Sequence, residues 1–363
     1  MNTCTDKLNT ASKAPRNSVI ELLRILCILL VIAGHYYAHG IAYAMAPFGI
    51  ETFSKRILAM QLISFGADIA NDIFVIITGY YMIESVIKGK RVVKLFGEMM
   101  FYAAVIALFF HFTSLKILSG EDFKKLLLPF WSGENWFVTC YILLCLLIPF
   151  LNPFLKSLDQ KALVKLLVIL FVLRFVTPLF ETKTFWSTKH GLEQFVFLYF
   201  IGAYIKLHGF QAKPLQNKWT WRILLAITLA LWADTVIGTA AMGIRNQDNT
   251  LIANTTKYYP IFSVLISSML FIAVLGIKPF YNSTINRISA SVLGVYLIHD
   301  NPLVREYIWR TVSPNIDQIY SNHIFVHMSQ KVLIIFVICI LIDQCRIWLL
   351  AKPVKKLITK YSK

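Results

Sequence analysis

The chain has 363 residues, 57% of them hydrophobic and only 15% charged, with a mean hydropathy of +0.62. A water-soluble domain of this length needs far more polar surface, so an ordinary soluble enzyme is excluded and the bilayer is the expected solvent. The formal net charge of +17 would suggest nucleic acid in a soluble protein. Here the basic residues sit in short loops between apolar runs, where they orient helices, and no nucleic-acid partner is expected.

Residues 1–17 are polar and read as an N-terminal tail. The run from Ser18 is too long for a signal-peptide core and lacks a small-residue cleavage site, so it reads as an uncleaved first span. A span needs about 20 mostly apolar residues. Such runs recur near 18–39, 59–84, 92–112, 136–152, 162–180, 192–207, 221–240, 259–277, 289–310 and 327–350. The ninth is interrupted by His299, Asp300 and Pro302. The expected fold is all-α: a polytopic integral membrane bundle of about ten transmembrane helices over 18–350, followed by a basic tail, 351–363. Loops that share a side with the N-terminus carry about twofold more Lys and Arg than the opposite loops, which places both termini in the cytoplasm. Six cysteines show no paired or metal-ligand spacing, and no disulfide is expected.

An ionisable group inside a span costs several kcal/mol unless it meets a partner or water, so each one is a candidate site residue. Span 1 holds Glu21, Arg24 and His35. The eleven-residue spacing leaves Arg24 and His35 roughly 20° apart around the helix, on one face. It separates them by about 16 Å along the axis, half the membrane. Glu21, at i−3, is placed to pair with Arg24. Arg24 has a plainer reading, snorkelling to the headgroups, and His35 has one as a hydrogen-bonded packing residue.

His35 and His39 are spaced like zinc ligands, but no third ligand is evident, so no metal site is expected. His39 also lies at the helix mouth, where hydration favours a surface role. Asp68 and Asp72 share one face of span 2, and an ion pair with Arg174 would account for one of them. Glu193, Asp234 and the pair His299–Asp300 complete the set. Adjacent helix positions point about 100° apart, so His299 and Asp300 are not a dyad with one another. Together these groups suggest an outward-opening polar cavity, which a transporter would share.

Four segments carry a resemblance. The first runs from Glu21-Leu22-Leu23-Arg24 to Gly34-His35, a basic residue, ten spacers and a His. The second is Ile73-Phe74-Val75-Ile76-Ile77-Thr78-Gly79-Tyr80-Tyr81. The third is Asn135-Trp136-Phe137 with the apolar run to Pro149, and the fourth is Ser291 to Tyr296-Leu297-Ile298-His299. In this order they resemble the acyltransferase 3 family of membrane proteins, which O-acetylate extracytoplasmic glycans. Thr78 stands where the family usually has Ser, which keeps a hydroxyl, and Asp300 stands where an aromatic residue is frequent. No soluble hydrolase-like domain, as some members carry, is recognised.

The resemblance implies a multi-pass O-acyltransferase of the bacterial cytoplasmic membrane. Acetyl-CoA or another acyl-CoA would be the donor substrate, with no tightly bound cofactor, and a cell-envelope glycan or lipid-linked sugar the acceptor. His35 would act as base or transient acyl carrier, since His is suited to proton transfer near neutral pH. Arg24 would act towards the donor, since Arg is a bidentate phosphate partner. Glu21, Asp72, Thr78, Trp136 and His299 would help to bind substrate. The competing readings are a transporter or glycan exporter with a charged path, and an assembly subunit whose buried charges bind partner helices. Inverted repeats and matching broken helices, frequent in transporters, are not apparent.

Overall fold

The computed structural model describes residues 16–42, 55–85, 89–113, 115, 119–120, 128–177, 191–209, 218–246, 259–318 and 321–360. Among these residues every regular element is a helix. Helix α1 (Ser18–His35) continues as a π-helix (Tyr36–Ala42), and α2 (Lys55–Met82), α3 (Gly89–Thr113), α4 (Pro129–Ser132) and α5 (Trp136–Ser157) follow. Then come α6 (Gln160–Phe171) with a π-turn (Val172–Val176), α7 (Leu192–His208), α8 (Lys218–Asn246) and α9 (Tyr259–Leu275). The last group is α10 (Ser283–Ser289), α11 (Val292–His299), α12 (Pro302–Glu306) with a π-turn (Tyr307–Val312), and α13 (Ile324–Lys360).

Among the described residues, five segments are long and apolar enough to cross a membrane: Ser18–Ala42, Leu62–Met82, Gly89–Thr113, Trp136–Ser157 and Ile324–Leu350. Apart from the one in α8, the other predicted spans coincide with shorter or interrupted helices. Helix α7 and helix α9 have 17 residues each, whereas α8 has 29 and carries an apolar stretch at Leu225–Asp234 among its described residues. The predicted span 289–310 is three short helices, because α11 stops at His299 and Pro302 restarts the chain as α12 behind an Asn301 cap that accepts from the Leu303 N–H at 3.1 Å. Helix α13 runs on through Lys360, into the segment predicted as a tail. Residues 1–15 and 361–363 lie outside the described residues.

Helix α1 begins where the Asn17 side chain accepts from the Val19 N–H at 3.0 Å. Its outward stripe, Leu22, Leu26 and Leu30, is exposed, while Ile28, Val31 and Ile32 are buried. In a membrane such an exposed apolar stripe faces lipid, and every backbone group is satisfied within the helix. Helix α2 is the centre of the bundle and packs on α1, α7 and α9. Its contact with α7 is backbone to backbone: a Cβ at Gly79 would meet the Tyr199 carbonyl, and one at Gly202 the Ile76 carbonyl. Small residues at such crossings let helices approach closely, the principal source of attraction where the solvent is itself apolar.

Buried charge is paired. Arg346 on α13 lies 2.6 Å from Glu98 on α3 and 2.8 Å from Asp343, which accepts from the Tyr102 hydroxyl at 2.5 Å. Asp72 accepts from Gln194 at 2.8 Å and from the Ser263 hydroxyl, tying α2 to α7 and α9. Arg174 faces Glu193 at 3.5 Å. Asp234 is exposed on α8, which corrects its reading as a buried group. The described cysteines, Cys27, Cys140, Cys145, Cys339 and Cys345, are free thiols.

Candidate active site

The broken segment α11–α12 crosses the end of α1 and brings four titratable side chains together. His35 Nδ1 lies 3.1 Å from His299 Nε2 and 3.5 Å from Asp300 Oδ1. His39 Nε2 lies 3.9 Å from the same Asp300 oxygen. Arg305 donates to that oxygen at 3.2 Å, and its second nitrogen reaches Glu134 at 3.3 Å. His299, Asp300 and Asn301 are almost wholly buried. Asp300 reaches His35 because it is the cap of α11 rather than a helical residue, with φ −95° and ψ 3°. The carboxylate excluded as a partner of His299 therefore lies within ion-pair distance of His35, available to an imidazolium there. The π-helix after His35 widens the turn and carries His39 to the carboxylate, where a surface role was expected.

Hydrogen-bond direction fixes the tautomers. His299 Nδ1 lies 2.6 Å from the Val295 carbonyl, which can only accept, so that nitrogen carries the proton. In a neutral His299 the Nε2 atom then accepts, and His35 must donate from Nδ1. His35 is left with its lone pair on Nε2, the form a proton acceptor requires.

A ring nitrogen of His35, one of His39 and a carboxylate oxygen of Asp300 lie within 4.8 Å of one another. Asp300 is thus the third possible ligand that the sequence did not reveal, and the cluster is compact enough for a divalent cation. The Arg305 guanidinium, however, already supplies positive charge to that oxygen.

A cavity of about 220 Å³ runs along α1 below this cluster, lined by Arg24, Ile28, Val31, Thr78, Arg91, Tyr141 and Tyr296 among others. Arg24, Ile28 and Val31 lie on the helix face that His35 continues. The far wall is Tyr296, whose ring centre is 6.2 Å from that of His299. Arg24 donates to both oxygens of Glu21 at 3.1 and 3.2 Å, and Glu21 accepts from Ser289 at 2.5 Å. The predicted Glu21–Arg24 pair is present, and it holds the guanidinium at the cavity wall.

Thr78 donates to the Phe74 carbonyl at 2.9 Å. A hydroxyl has one proton, so in the 3.3 Å contact between Thr78 and Tyr141 Tyr141 is the donor. Tyr141 in turn accepts from Arg91 at 3.1 Å. Sequence reasoning counted Arg91 among loop charges; it stands instead in the first turn of α3 and lines the cavity.

Two further predicted residues are placed elsewhere. Trp136 opens α5 and packs against Phe195, and it is Phe137 that lines the cavity and meets Tyr296, with ring centres 5.8 Å apart. Asp72, enclosed by Gln194 and Ser263, belongs to the helix-packing network and is not among the residues lining the cavity.

A second cavity, about 290 Å³, lies at the opposite end of the cluster and is lined by His39, Glu134, Pro302, Arg305, Glu306 and Arg310. The molecule is thus a helical membrane protein with a buried His35–His299–Asp300 cluster, one cavity along the α1 face that leads to it and a second lined by the neighbouring His39 and Arg305. The acyltransferase 3 family profile, described as an acyltransferase domain, matches residues 17–343, and the chain belongs to that family. It is an acyltransferase. No curated protein and no solved structure matches the chain.

Proposed function

We infer that the protein is a multi-pass O-acyltransferase of the bacterial cytoplasmic membrane, taking an acetyl or related acyl group from cytoplasmic acyl-CoA. The acceptor is a hydroxyl of an extracytoplasmic or lipid-linked glycan. Ten spans with both termini in the cytoplasm are the topology on which this reading rests, supported by the loop charge bias. Arg24 then lies towards the cytoplasm and His35 in the outer half.

The observation that carries the reading is His35 against His299 and Asp300, one helical turn beyond Val31 of the Arg24-lined cavity, with its Nε2 lone pair open to a proton. The acyl-pantetheine arm enters along Ile28 and Val31, and its phosphates meet Arg24 and Arg91, both suited to bidentate anion contacts. The acceptor hydroxyl gives its proton to His35 Nε2 as its oxygen attacks the thioester carbonyl. The C–O bond forms, the C–S bond breaks, and the coenzyme thiolate recovers the proton from His35. The imidazolium formed in between is stabilised by Asp300 at 3.5 Å.

The test compares His35→Ala, His299→Ala and His39→Ala at matched expression, with acyl transfer from acetyl-CoA to a glycan as readout. A general base contributes about 10²–10⁴-fold, so His35→Ala is expected to lose that much, and the other two variants less. Near-wild-type turnover in His35→Ala would refute the assignment.

A further inference from the structure

We propose that the 290 Å³ cavity over the Asp300 contact is the acceptor subsite, and that it selects an uncharged sugar over a polyanionic one. This rests on the acyltransferase reading and adds the chemical class of the acceptor. At about 290 Å³ the cavity sits at the lower edge of small-ligand pockets, about 300–1,000 Å³, which suits a single sugar unit, and it is far larger than a water, at about 30 Å³.

Its walls are ion pairs. Arg305 bridges Glu134 at 3.3 Å and Asp300 at 3.2 Å, and Arg310 meets Glu306 at 2.6 Å. A hydroxyl both donates and accepts, and paired carboxylates and guanidiniums offer a partner for each half. The same walls offer a polyanion no net attraction: the two lining carboxylates, Glu134 and Glu306, balance the two guanidiniums, Arg305 and Arg310, and each guanidinium is already engaged in an ion pair.

The cavity along α1 is net positive instead. There Arg24 and Arg91 face Glu21 as partner to Arg24. Charge therefore sorts the two substrates, the anionic donor to the Arg24 end and the neutral acceptor to the His39 end.

The experiment uses the full chain in detergent or nanodiscs and measures initial rates with two matched acceptors, a neutral hexose oligosaccharide and its hexuronate counterpart. The neutral sugar is expected to have the lower KM, by tenfold or more. Glu306→Lys, which makes the mouth positive, should move the ratio of the two KM values at least tenfold towards the hexuronate. Acetyl-CoA binding, read by thermal shift, should stay unaltered in that variant and shows that it is folded. Arg310→Glu should move the ratio the other way. Preference of the wild-type protein for the hexuronate would overturn the inference, as would a ratio unmoved in both variants. Thioester cleavage with transfer to neither sugar would also overturn it while leaving the donor assignment standing. Full turnover in His35→Ala instead removes the catalytic reading and leaves the sugar preference to be judged on its own ratio.

Discussion

Replacing Asp300 by Asn keeps the side chain's shape and removes its charge, so it isolates what the carboxylate does for His35. When His35 accepts a proton, the charge pair it forms with Asp300 spans 3.5 Å. At an effective dielectric of about 20 such a pair is worth about 4.7 kcal/mol. Arg305 sits 3.2 Å from the same oxygen and opposes the imidazolium, so about half survives, roughly 2–3 kcal/mol. At about 1.36 kcal/mol per decade, kcat should fall about 30- to 150-fold. The KM for acetyl-CoA should change little, because Asp300 is not among the residues lining the donor cavity. The assay is acyl transfer under saturating substrates, with thermal unfolding to confirm that the variant is folded. In the His35→Ala background the same change should cost little more, since groups acting as a unit are not additive. Wild-type kcat in Asp300→Asn, or a loss that multiplies fully with that of His35→Ala, would refute the pairing as the source of stabilisation.

Arg24→Ala should weaken acetyl-CoA binding, read by thermal shift, and Arg24→Lys should restore only part, because an ammonium lacks the planar fork; normal binding in Arg24→Ala would remove the donor role. Gly79→Ala drives a Cβ into the Tyr199 carbonyl and should destabilise by about 1–3 kcal/mol, seen as a lower unfolding temperature. Gly97→Ala, with nothing within 4 Å of the added carbon, should be neutral or slightly stabilising, and equal effects at the two glycines would contradict the close crossing. A reporter active only outside the cytoplasm should work when fused after Lys116 or Asn246 and be silent after Lys90 or Gln216. Reversal at any two sites would overturn the topology.

Apolar run length and the 3.6-residue period are local properties, and what depends on them was legible in the sequence. A hydrophobic fraction of 57% demanded a membrane. The eleven-residue spacing put Arg24 and His35 on one face, and the i−3 spacing paired Glu21 with Arg24. Pro302 marked a break in the ninth apolar run, and the family could be recognised from four short motifs whose order the matched region 17–343 encompasses.

What decided the site was contact between segments far apart in the chain, on which local periodicity says nothing. His35 and His299 are separated by 264 positions. Asp300 joins His35 only because α11 ends at His299 and frees its cap from the 100° rule that governs helical neighbours. His39 reaches the same carboxylate because α1 relaxes into a π-helix, a change of winding that its sequence does not announce. Arg91 read as one more topogenic charge until α3 placed it on the cavity wall beside Tyr141. Asp72 was singled out for the cost of its charge, but Gln194 and Ser263 satisfy it within the packing of three helices. Burial cost marks which residues need a partner; only the tertiary fold determines whether that partner is another helix or the reacting molecules.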